Sequence, residues 1–246
     1  EEVRPLDISI TKNVLGLFIN SAVLLVIMMS CVRWYKKHPL EDGAPKGGVG
    51  MIEATVLSIY NDVIKGCIGE NYRRYAPYLL TAFFFVLVNN LMGLIPIFPG
   101  GANVTGNIAI TLVLALCTFV LTNVYGTKAY WKEIFWPDVP TWLKAPIPMM
   151  PLIEFFGIFT KPFALMIRLF ANIMAGHAAV LSLVAIIFIT VKSGPVINGS
   201  MTVVSVAFSI FMDALEILVA FIQAYVFTML SAVFIGLSQV KEHAEK

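Results

Sequence analysis

From Tyr75 to Thr127 the chain carries no Asp, Glu, Lys, Arg or His. A soluble domain does not leave so long a run uncharged, because about a quarter of an ordinary globular sequence is charged. The rest of the chain follows the same trend: of 246 residues 59% are hydrophobic and 13% charged, with mean hydropathy +0.84. Such a composition belongs in a bilayer. Hydrocarbon offers no hydrogen-bond partners, so only helices and closed barrels satisfy their own backbones there. The apolar runs are continuous and lack the alternation a barrel requires, which makes the fold class an all-α integral membrane protein. A net charge of +2 does not support nucleic-acid binding. Cys31, Cys67 and Cys117 are isolated, show neither metal-ligand spacing nor a disulfide framework, and read as small apolar packers. No cofactor or metal site is expected. The first residue is Glu1 and not Met, which is read as a processed or trimmed start, with no cleavable signal in view.

Five spans are expected, near 14–32, 76–95, 106–126, 152–191 and 200–240, in a single membrane domain covering 1–246. Residues 51–72 mix apolar side chains with Glu53, Asp62, Lys65 and Glu70 at helical spacing, which predicts one surface-lying amphipathic helix. PIFPGGANVTGN is the turn between the second and third spans, and the Trp- and Pro-rich stretch from Lys128 to Pro151 reads as an interfacial connection. The last two stretches, of about 40 residues each, would run about 60 Å, twice the thickness of a bilayer core. They are expected as a long, tilted antiparallel hairpin. With the N-terminus outside, the inner loops and tail gather Arg33, Lys36, Lys37, Arg73, Arg74, Lys128 and Lys132 among others, and only Arg4, Lys12 and Lys192 stay outside. By the positive-inside rule the N-terminus is outside and the C-terminus cytoplasmic.

The hairpin carries the polar chemistry. Glu154, Lys161, Arg168 and Asn172 share one side of the fifth span, while His177, nine residues after Arg168, points about 180° away and sits roughly 13 Å further along. On the sixth span Ser205, Ser209, Asp213, Glu216 and Gln223 form a second stripe. Folding the hairpin near residue 196 brings Arg168 to the depth of Gln223 and His177 to that of Glu216. One layer then holds a permanent cation and an amide, the other an imidazole and a carboxylate that exchange protons, with Asp213 one turn away. A charge at mid-membrane depth costs roughly 2.5–3.5 kcal/mol on insertion scales, and no acidic residue of the sixth span lies at the depth of Arg168. Its counter-ion is therefore expected on another protein. Each residue also has a plainer reading: Glu154 and Lys161 as interfacial side chains that snorkel, Asn172 and Gln223 as bridges between helices, and His177 as a structural residue.

KPFALMIRLFANIMAGH (161–177) and ALEILVAFIQAYVFTML (214–230) closely resemble subunit a of the rotary F-type ATP synthases. The resemblance extends to DISITKNV (7–14), NNLMGLIP (89–96) and NVTGNIAITLVLAL (103–116), and is strongest over 150–235. It implies a non-enzymatic, proton-translocating stator subunit whose two half-channels lead to the carboxylates of a c-subunit ring. The implied roles are as follows: Arg168 faces the ring; His177 and Glu216 take protons from outside; Gln223 lies close to the arginine; and the face of Glu154, Lys161 and Asn172 leads to the inner exit. Peripheral-stalk b subunits and membrane lipids are the other implied partners, and a bacterial plasma membrane is the expected location, with H⁺ favoured over Na⁺ as the ion. In many bacterial members the His and Glu of the outer layer are exchanged, and some carry an acid where this chain has Gly93. Without that acid, Asn90, Asn103, Thr105 and Asn107 remain as outer half-channel candidates.

Two other classes fit the composition. An autonomous polytopic ion or solute transporter would use Arg168 to bind an anion, but the chain shows neither an internal repeat nor a pair of broken helices. A scaffold would use its polar residues only to join helices.

Overall fold

The computed structural model describes residues 11–38, 45, 47–95, 104–135 and 149–239, and all the regular structure among them is helical. Helix α1 spans Lys12–Lys37 and carries Lys36 and Lys37 in its last turn, where cations complement the helix dipole. It ends because Pro39 follows: His38 is already extended, with φ −112° and ψ 113°. The expected interfacial helix and second span form one interrupted helical run. Helix α2 (Gly48–Ser58) passes into a π-helical segment at Ile59–Lys65 and the short α3 (Gly66–Ile68). Gly69, at φ +74°, and a 3₁₀ turn at Gly69–Asn71 then precede α4 (Tyr72–Leu94). The break therefore falls at a glycine, the residue type that enters the left-handed region freely. Helix α4 stops at Ile95, extended before Pro96.

Helix α5 (Ile108–Val124) begins where the Asn107 side chain accepts a 3.0 Å hydrogen bond from the Ala109 amide, an N-cap. The short α6 (Lys128–Phe135) follows at a bend of 98°. Helix α7 (Met149–Thr190, 42 residues) and α8 (Pro195–Ser238, 44 residues) are joined by a 3₁₀ turn at Val191–Ser193 and by Gly194 at φ 105°, with Pro195 at the first position of α8. The reversal thus lies two or three residues before the expected fold point, at the residues suited to a tight turn and helix start. Among the described residues four helices are long and apolar enough to cross a membrane, and α5 with α6 makes a fifth when the bent pair counts as one span. Pro162 interrupts the hydrogen-bond ladder within α7, as spanning helices tolerate when neighbours supply packing.

The core lies where α4, α7, α8 and the π-helical segment meet. Leu79, Phe83 and Val86 are fully buried in one cluster with Leu169, Ala224, Phe227, Ala232 and Ile235. Lipid is as apolar as leucine, so close packing and polar bridges hold such helices together. Both are present. Gly236 of α8 lies so close to Cys67 that a Cβ there would overlap its carbonyl oxygen. Asn20 of α1 donates to Asn89 of α4 at 2.9 Å, both fully buried, and Thr118 of α5 bridges Tyr78 at 2.8 Å and Ser231 at 3.2 Å.

Candidate functional site

The antiparallel packing of α7 on α8 sets the site. Thr190 meets Asn198 at 3.0 Å beside the turn. Further along, His177 Nδ1 lies 4.0 Å from Glu216 Oε2, and Asn172 donates to Gln223 at 3.4 Å. The expected depth match of His177 with Glu216 is thus a contact. The partner of Gln223 is Asn172, about one turn from Arg168. Gln223 is buried, whereas the side chains of His177 and Glu216 keep 34% and 13% of their surface.

Arg168 is on the side of α7 opposite His177. Leu165, Met166 and Leu169 beside it are buried, but Arg168 itself is exposed and has no hydrogen bond or ion pair among the described residues. The same exposed strip holds Ala164, Ala171, Ala175 and Ala178, at alternating spacings of four and three residues. This is a flat seam of small side chains with one guanidinium in it. Geometrically, the nine residues from Arg168 to His177 amount to half a turn, as expected.

Asn90, Gly93, Asn172, His177, Glu216 and Gln223 line a cavity between α4, α7 and α8 with about 30 Å³ of room for water, enough for about two molecules. Asn90 donates to the Ala220 carbonyl at 3.4 Å, while its own Oδ1 and Glu216 Oε1 are buried without a partner among the described residues. The cavity wall therefore offers two acceptors and an imidazole to whatever enters. A smaller cavity of about 10 Å³ lies near the other end of the hairpin, lined by Thr118, Thr122, Asn123, Tyr130, Lys161 and Phe234 among others. Lys161 sits 5.7 Å from the Phe234 ring centre, and Glu154 is half-buried two turns earlier on α7.

Other sequence candidates stand apart from this arrangement. Asp213 is exposed, and Asn107 is engaged in capping α5. Thr105 is fully buried with its hydroxyl unpartnered among the described residues, and Asn103 lies outside them. Sequence reasoning missed Gly176. A Cβ built on it would overlap Glu216 Oε1 and lie 2.9 Å from Glu216 Cδ. Its position next to His177 was the available signal. Among the described residues no three His, Cys, Asp or Glu side chains converge as metal ligands.

Long apolar helices, an arginine on an open seam with no partner among the described residues, and an imidazole–carboxylate pair at a cavity behind it define a polytopic membrane protein built around charge. Residues 15–236 match the family model ATP synthase A chain. The chain is 49% identical to ATP synthase subunit a of Chlorobium phaeobacteroides, over 97% of this chain and 68% of that protein. It is 45% identical to ATP synthase subunit a of Chloroherpeton thalassium, over 98% and 70%, and 39% identical to that of Myxococcus xanthus, over 97% and 75%. The chain belongs to the ATP synthase A chain family. It is accordingly an integral membrane, non-catalytic component of an ATP synthase.

Proposed function

We propose that this chain is the proton-translocating stator subunit of an F-type ATP synthase, coupling proton flow through two half-channels to rotation of a c-subunit ring. The observation that carries this is Arg168: a cation with no partner among the described residues, exposed on a seam of alanines. Left against lipid it would cost roughly 2.5–3.5 kcal/mol, so the seam calls for a partner with a carboxylate at that depth. Small residues allow a second helix to approach closely, as on a ring whose helices pass one after another.

Protons enter from outside through the cavity of Asn90, His177 and Glu216. At 4.0 Å the imidazole and carboxylate are too far apart for direct transfer, so a bridging water or a small side-chain swing carries the proton from His177 Nδ1–H to Glu216. It then neutralises a ring carboxylate, which becomes able to turn into lipid. A carboxylate arriving at Arg168 from the other direction is held ionised: at 4 Å and an effective dielectric of 20 the attraction is about 4 kcal/mol. Its released proton leaves along Asn172, Lys161 and Glu154. Arg168 cannot give up its own proton, so it blocks a direct leak between the two paths. The Asn172–Gln223 bond braces the helices beside it. Asp213, exposed one turn from Glu216, serves as an antenna at the outer mouth.

The reading also includes a bacterial plasma membrane, the N-terminus outside and the C-terminus cytoplasmic, α2 with its π-helical continuation lying at the surface, peripheral-stalk b subunits as further partners, and H⁺ as the ion. The test is Arg168→Ala in the whole complex. ATP-driven proton pumping in inverted vesicles is expected to fall to background with the complex still assembled. Solute uptake by proteoliposomes holding this chain alone would instead establish a transporter.

A further inference from the structure

We infer that Gly176 is a positioning residue of the proton path, the notch that seats the Glu216 carboxylate beside His177. This rests on the reading of His177 and Glu216 as the outer entry pair. The carboxylate does not reach toward α7 from a distance; it lies against the α7 backbone in the space a side chain at 176 would fill. A Cβ there would overlap Oε1 and stand 2.9 Å from Cδ and 3.2 Å from Cγ of Glu216. In that seat Oε2 is 4.0 Å from His177 Nδ1, while Oε1 is buried at the wall of the cavity. The two observations are linked: one carboxylate makes both contacts, so shifting it off the notch changes its distance to the imidazole.

The backbone argues the same way. Gly176 is in the interior of a 42-residue helix, where glycine is less favourable than alanine and where no positive φ requires it. Helix formation alone would select a larger residue at this position. The atoms in the way belong to a flexible side chain, which swings aside instead of forcing the helices apart. The penalty of a side chain at 176 thus falls on proton transfer and not on folding. Gly176 supplies the room for a carboxylate that comes from α8.

The experiment uses the complete ATP synthase in inverted membrane vesicles, with ATP-driven pumping, passive proton flux and its pH profile as readouts. Gly176→Ala is expected to assemble to normal amounts and to lower proton flux about tenfold or more, in line with the sensitivity of proton transfer to displacements of about 1 Å. Adding Glu216→Asp, one methylene shorter, is expected to restore several-fold of the loss. In a Glu216→Ala background, Gly176→Ala should have no additional effect. Gly199→Ala, whose Cβ meets nothing within 4 Å, serves as the silent control. Unchanged flux and pH profile in Gly176→Ala overturns the inference, as does failure of Glu216→Asp to restore any flux, or loss of the assembled complex. If Glu216→Gln itself leaves flux and pH profile unchanged, the entry-pair reading fails first.

Discussion

A lysine at position 168 would carry the same formal charge as the arginine, but an ammonium sheds its proton in a low dielectric and a guanidinium does not. Arg168→Lys is therefore expected to let protons pass between the half-channels, so that vesicles show passive leak and at least tenfold less coupled pumping. Coupling as high as in the parent complex would remove the reason for arginine. The buried pair Asn20–Asn89 gives a contrasting case, in which polarity serves packing. Replacing one partner by leucine leaves an amide unsatisfied and is expected to cost about 1–3 kcal/mol, whereas replacing both comes out nearly neutral. The thermal midpoint of the detergent-solubilised complex reports the difference. At this scale the ionisable residues were legible, because a charge in an apolar run identifies itself. Gly176 was not: a residue that acts by lacking a side chain leaves no mark on hydropathy or charge.

Helices are where the sequence was most readable and least exact. The apolar runs overlap α1, α5, α7 and α8 but differ from them by up to five residues, α1 running over 12–37 and not 14–32 and α8 starting at 195 and not 200, and Pro39, Pro96 and Pro195 stand at three of the boundaries. The run from Gly48 to Leu94 was harder, because the π-helical segment, with Ile59, Val63 and Ile64 buried in the core, rests on packing and not on local pattern. Gly236 makes that dependence concrete. Its missing Cβ leaves room for the Cys67 carbonyl, and a backbone oxygen cannot swing aside as a side chain does. Gly236→Ala is expected to cost about 1–3 kcal/mol of stability through overpacking. Limited proteolysis near residues 59–71 would register it, since the altered contact lies there and leaves the α7–α8 pairing in place.

For the molecule as a whole, the two ends of the bundle differ in charge. The end that gathers Lys36, Lys37, Arg73, Arg74 and Lys128 is the expected cytoplasmic one, and Lys192 at the hairpin turn lies opposite. Cysteine at 192 should react with a membrane-impermeant maleimide in right-side-out vesicles, and cysteine at 128 only in inverted ones. The reverse pattern would invert both half-channels. Part of the site lay beyond any reading of one chain: the depth match placed no acid of the sixth span opposite Arg168, but gave nothing of the shape of the seam around it.

The length of α7 bears on direction. Its 42 residues run about 63 Å, twice a hydrocarbon core of about 30 Å, so a helix held within that core must lean steeply. The roughly 13 Å of helix between Arg168 and His177 then becomes mostly sideways displacement in the plane of the membrane. A vertical rod would stack its inlet above its barrier and give a wheel no reason to prefer one sense of rotation. A leaning one sets the inlet to one side, and that offset has a handedness. On the proposed stator reading, the lean of this one helix would place the proton inlet to one side of the arginine.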